Sequence, residues 1–141
     1  MTGPGTQFDF AAMQAQGNRA GIPELYVLIM TPLPLASNAP AETPAGEATP
    51  LEIHYAYMHQ LVEQGKALLI GPCIGEPTFH GQAPVPPGIG ILRAASRDEA
   101  EEIAKNEPFH TMGWRQNTVM AWAPKFGTAL ELLRNMTGTE S

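Results

Sequence analysis

His54 and Glu107 are the two residues whose positions are hardest to explain by packing alone. His54 falls among Leu51, Tyr55, Met58, Leu61 and Val62, an apolar stripe at helical spacing, so its imidazole is expected on a buried helix face. Glu107 continues the series Ala100, Ile103, Ala104 and is expected to project toward the same inner side. It also ends a helix, where the macrodipole disfavours a carboxylate, and a locally unfavourable choice on an inward face calls for a partner. If the two side chains meet, they form an acid/base pair. An imidazole, with an ordinary pKa of about 6.5, exchanges protons near neutrality. A carboxylate beside it fixes the tautomer or balances the imidazolium. Packing offers an alternative to each: a satisfied core histidine at position 54 and a solvated last-turn carboxylate at position 107.

Three further residues are candidates for binding a substrate. His80 lies in the Pro/Gly-rich segment Gly75–Pro87 and is placed either over a pocket or on a plain surface. His110 directly follows Phe109 and is a candidate to line the same site. Trp114 is either a pocket floor or an aromatic of the core or of a subunit interface. His59 shares a solvated helix face with Glu52, Glu63 and Lys66. It stands five residues from His54, so one helix face cannot present both to a metal, and no metal site is expected. Cys73 adjoins the Gly71-Pro72 turn and reads as a small buried hydrophobe rather than a nucleophile. Gly88-Ile89-Gly90 lacks the third glycine and the following helix of a dinucleotide fingerprint. With no P-loop, no Gly-x-Ser-x-Gly elbow and no cysteine pair for zinc, cofactor-free chemistry is expected.

The elements that position these residues follow from local signals. Leu25–Met30 is a short, wholly apolar run after Pro23 and predicts a first strand. Thr31–Thr49 carries Pro32, Pro34, Pro40 and Pro44 and is a long loop, either a cover for a pocket or a tolerated insertion. Thr49-Pro50-Leu51-Glu52 is a capping box with proline at the first helical position, and the helix it opens should stop at Gly65. Ala67–Cys73 and Gly88–Arg93 predict the second and third strands. Ser96-Arg97-Asp98-Glu99 repeats the capping signature and opens a helix that Pro108 ends. Trp114–Trp122 alternates as a fourth strand should, and residues 128–136 add a terminal helix.

The order β-α-β-β-α-β predicts a ferredoxin-like α+β fold. Residues 1–22 are expected to form an N-terminal extension and residues 23–137 one domain. Two helices cover one face of such a sheet, yet the first three strands are apolar at nearly every position, so the second face must also be dry. Terminal segments or a second copy of the chain can cover it, and a symmetric homodimer packed sheet on sheet is expected.

Composition narrows the classes. At 141 residues and 43% hydrophobic, the chain can bury a core as one domain. A net charge of −6 without a basic cluster argues against nucleic acid and against anionic membrane surfaces. No run approaches the roughly 18 apolar residues of a membrane span. The N-terminus lacks a basic region followed by an apolar run, and a single cysteine suits a reducing compartment, so cytoplasmic localisation is expected.

His54, Gly65, Gly71-Pro72, Glu107-Pro108-Phe109 and Gly113, in that order and spacing, resemble the YCII-related family over about residues 25–125. The resemblance implies a dimeric α+β barrel similar to the muconolactone isomerases. It implies small-molecule chemistry of the kind performed by a family dehydrochlorinase acting on a chlorinated hydroxyquinol. The family site pairs the helix histidine with the acid of an Asp-Pro-Phe/Tyr motif; here those positions are His54 and Glu107. Glutamate in place of aspartate reaches one methylene further. Two functions fit: an enzyme that eliminates from or isomerises a cyclic acid, phenol or lactone, and a non-catalytic ligand-binding or accessory homodimer in which the pair is structural.

Overall fold

The computed structural model describes residues 7–13, 24–34, 43–75 and 87–136. His80 lies outside the described residues. The chain divides into two compact units, residues 24–121 and residues 1–23 with 122–141. In the second unit, residues 10–13 are helical, with Asp9 Oδ1 accepting from the Ala12 N–H at 2.9 Å, and a helix spans Leu130–Met136.

The unit 24–121 holds the site. Its elements are β1 (Leu25–Pro32), α1 (Pro50–Glu63), β2 (Ala67–Pro72), β3 (Gly88–Arg93), α2 (Arg97–Asn106), the short α3 (Pro108–Thr111) and β4 (Arg115–Ala121). The strands form one sheet in the order β2-β3-β1-β4, antiparallel at every pairing. This is the ferredoxin-like α+β arrangement that the element order predicts.

Local chemistry sets the helix ends. Thr49 and Glu52 form the capping box: Thr49 Oγ1 accepts from the Glu52 N–H at 3.1 Å, and Glu52 Oε1 accepts from the Thr49 N–H at 2.9 Å. Gly65, at φ 71°, takes the left-handed conformation that stops α1. Ser96 caps α2 through its hydroxyl on the Glu99 N–H.

The core lies between the helices and the inner sheet face. Tyr26, Leu28 and Met30 alternate along β1, meet Leu92 of β3 and Val119 of β4, and are covered by Met58 and Leu61 of α1 and Ala100, Ile103 and Ala104 of α2. Side chains of period two share a face, and the register places Leu28 opposite Val119 and Met30 opposite Asn117. Arg115 and Asn117 therefore point to the helix side in phase with Val119. On β3 the inner positions include Gly88 and Gly90. A Cβ there would stand 2.7 Å from Met30 Cε and 2.8 Å from Ile70 Cγ1, so the missing side chains let both residues close over the strand.

The α1 stripe differs from the expectation. Its buried line is Pro50, His54, Met58 and Leu61, whereas Leu51, Tyr55 and Val62 are half exposed. The reason is a cavity beside α1: these three apolar side chains form part of its wall instead of entering the core. Cys73 also differs, being exposed just past the end of β2.

Candidate active site

Glu107 takes its place from the break between α2 and α3. Pro108 pushes the preceding residue out of helical geometry, and Glu107 sits at φ −64°, ψ 129°. It is thus the last cap of α2 and, at the same time, the N-cap of α3. The macrodipole objection at a helix end is met by the next turn: Glu107 Oε2 accepts from the Phe109 N–H. The side chain is 1% exposed.

A buried carboxylate needs donors, and Glu107 has three. Besides the Phe109 N–H, His54 Nδ1 lies 2.8 Å from Oε2. Asn117 Nδ2 donates to Oε1 at 3.1 Å and to the Ala104 carbonyl at 3.0 Å. Burial pushes the Glu107 pKa up, but the hydrogen bonds from His54, Asn117 and Phe109, with the His54 charge, outweigh it and hold the carboxyl below its ordinary value. Ionised, the carboxylate only accepts, so His54 Nδ1 is the protonated nitrogen facing it. Nε2 is then the nitrogen left for other chemistry.

Aromatic contacts fix the imidazole. The His54 ring stacks on Phe109 with centroids 4.2 Å apart and 5° between the planes. Trp114 buttresses Phe109 from 5.3 Å, and the Arg115 guanidinium carbon lies 5.0 Å from the Phe109 centroid. His54 and Arg115 both open onto a cavity of about 380 Å³. Tyr55, Met58 and Val62 of α1, Met30 of β1, and Ile70 and Pro72 of β2 give it a largely apolar wall. That size and lining suit a small organic molecule. Among the described residues, no cluster of three His, Cys, Asp or Glu side chains has the arrangement to hold a metal ion.

The family model described as the YCII-related domain matches residues 25–123 of this chain. The chain belongs to the YCII-related family. No curated protein matches the sequence. Among solved structures, this YCII-related chain is similar to the 5-chloro-2-hydroxyhydroquinone dehydrochlorinase of Burkholderia phenoliruptrix AC1100, solved in complex with 2,5-dihydroxybenzoquinone. The two share 21% identity and a TM-score of 0.50, over 72% of this chain and 95% of that one. At that identity the likeness is one of fold.

Within the YCII-related domain, the structure brings His54 and Glu107 together. His110 and Trp114 are absent from the cavity wall: His110 Nδ1 accepts from the Asn117 backbone N–H at 3.1 Å, and Trp114 stands behind Phe109. His59 is exposed, as its helix face predicts, yet borders the cavity. Sequence reasoning did not single out Arg115 or Asn117. The signal was there, since both share strand parity with Val119, and a polar residue in phase with a core valine faces inward.

Proposed function

We propose that this protein is a cofactor-free enzyme acting on a small cyclic acid, phenol or lactone by elimination or isomerisation. The observation that carries the reading is the 2.8 Å contact between His54 Nδ1 and Glu107 Oε2 at the wall of a largely apolar cavity. His54 Nε2 takes a proton from a carbon next to a carbonyl or enol, and the released electron pair forms a new C=C bond. In elimination, the leaving group departs with its own electron pair. In isomerisation, the imidazolium returns the proton at a different carbon. Glu107 holds the tautomer and balances the imidazolium, which lowers the energy of the charged intermediate state. A tightly packed His54 would have suited a purely structural pair, whereas an open cavity beside it supports acid/base work. The dehydrochlorinase of similar fold, with its bound dihydroxybenzoquinone, supports a ring substrate.

The proposed assembly is a homodimer formed through the outer sheet face, where Leu69, Ile89 and Met120 are exposed. No helix among the described residues is long and apolar enough to cross a membrane. A cytoplasmic setting fits the single free cysteine.

The test is chloride release or absorbance change across a panel of chlorinated hydroxyquinols, phenols and lactones. For any compound turned over, His54→Ala is expected to lower kcat/KM by about 10²-fold or more while circular dichroism and mass stay those of the wild type. Full activity in that variant sinks the assignment.

A further inference from the structure

We propose that Arg115 is the anion-binding residue of this cavity, and that the ligand it receives is a planar ring bearing an oxyanion, either a carboxylate or an ionised enol or phenol. The inference rests on reading the cavity as a ligand site and adds the chemical class that the His54–Glu107 pair does not specify.

The guanidinium is half-buried at the start of β4, on the inner sheet face, and lines the cavity. Arginine offers five N–H donors in a planar fork. Among the described residues Arg115 makes one hydrogen bond, from Nη1 to Met30 Sδ at 3.6 Å. A thioether is a weak acceptor, and the contact of the guanidinium carbon with the Phe109 ring, 5.0 Å from its centroid, supplies no oxygen acceptor. Glu107, whose charge it feels, does not accept from it. Both Glu107 oxygens are already engaged by His54, the Phe109 N–H and Asn117. The half-buried fork therefore faces the cavity with no oxygen acceptor among the described residues, and its N–H edge is available to a ligand.

The rest of the wall selects against other ligands. No Asp or Glu lines the cavity, so Arg115 supplies its one permanent charge among the described residues, and that charge is positive. In a chain of net charge −6 the overall field repels anions, so a preference for anions must come from a local cation. The apolar wall disfavours a hydrated inorganic ion and favours a ring. Phe109 contacts both the imidazole and the guanidinium, and all three side chains line the same cavity. A ring held by its oxyanion at Arg115 therefore lies beside the His54 imidazole, where a proton can move.

Two probe pairs test this by titration calorimetry on the full chain: benzoate against benzamide, and 2,5-dihydroxybenzoquinone against its uncharged dimethyl ether. The wild type is expected to bind at least one anion more tightly than its neutral isostere, and which pair responds separates carboxylate from enolate. Arg115→Gln should weaken that anion by about tenfold to a hundredfold, the range for a charge-assisted hydrogen bond, and the neutral isostere by less than about twofold. Arg115→Lys, which keeps the charge but loses the fork, should recover part of the loss. Equal weakening of anion and isostere, no anion preference in the wild type, or no binding by either anion overturns the proposal. His54→Gln separates the two readings. If it abolishes turnover while Arg115→Gln leaves anion binding intact, the anion assignment falls and the acid/base pair stands. If it retains turnover while the anion preference depends on Arg115, the pair falls and the anion assignment stands.

Discussion

At the scale of single residues, Glu107 is a buried carboxylate held at both oxygens. Its three donors hold the carboxyl below its ordinary pKa of 4.5. A group whose folded pKa is depressed adds stability that is present above the unfolded value and lost as pH falls through the folded one. Glu107→Gln removes the charge and keeps the shape. It is expected to cost about 1–3 kcal/mol at pH 7, and the gap to wild type should close as pH drops below 4.5. Melting temperatures from pH 7 to 3 check it; a gap constant across that range contradicts it. Asn117 tests the same carboxylate from the other side. Among the described residues its Oδ1 is buried with no partner, while its amide nitrogen donates two bonds. Asn117→Leu leaves Glu107 Oε1 and the Ala104 carbonyl without donors and should cost about 1–3 kcal/mol. With one stabilising bond lost, the Glu107 pKa rises. Acid unfolding should therefore begin at a higher pH than in wild type, as a fluorescence titration would record.

At the scale of elements, local signals were legible and tertiary ones less so. The Thr49 and Ser96 caps and the Gly65 stop are written within four residues of sequence; α1 and α2 begin at those caps and α1 ends at Gly65. Gly65→Ala is expected to cost about 1 kcal/mol. A Cβ there meets nothing within 4 Å, so the cost is that of the left-handed backbone alone. Urea unfolding with an unchanged slope would show it. Gly90→Ala differs in kind, because the new methyl would lie 2.8 Å from Ile70 Cγ1 on a stiff β-branched side chain. It should destabilise by about 1–3 kcal/mol and push Ile70 toward the cavity it lines, weakening any bound ring in the same calorimetric assay. Pro108 made the break at Glu107 legible; what local pattern could not supply was the short helix that follows it. Helical extrapolation brings Glu107 to the correct side, but its burial depends on an extended backbone before Pro108 and a second, four-residue helix to cap. Nor does periodicity separate a core stripe from a cavity wall. Leu51, Tyr55 and Val62 carry the right spacing, and only the space between α1 and β2 decides that they stay half exposed.

At the scale of the whole molecule, the proposed homodimer uses the sheet's outer face. The register aligns Leu69, Ile91, Val27 and Met120 in one row across all four strands, with Ile89 and Ile29 in the next row. Leu69 is 71% exposed, Met120 55% and Ile89 49%. A contiguous apolar patch of this kind is uncommon on a monomer and marks an interaction surface. A two-fold axis through it pairs each row with its own copy and needs no other partner. The inner face is already closed by α1 and α2, so pairing outer faces leaves both cavities accessible and both His54–Glu107 pairs intact. Ile89→Glu places like charges across that axis while changing a side chain the isolated unit leaves half exposed, so the fold should persist and the dimer should not. Light scattering after size exclusion is expected to give twice the chain mass for wild type and the single-chain mass for the variant. The wild-type melting temperature should rise with protein concentration, and the variant's should not. A wild type that stays monomeric at tens of micromolar rules out this use of the outer face, and with it the dimer, while leaving the site chemistry of each chain untouched.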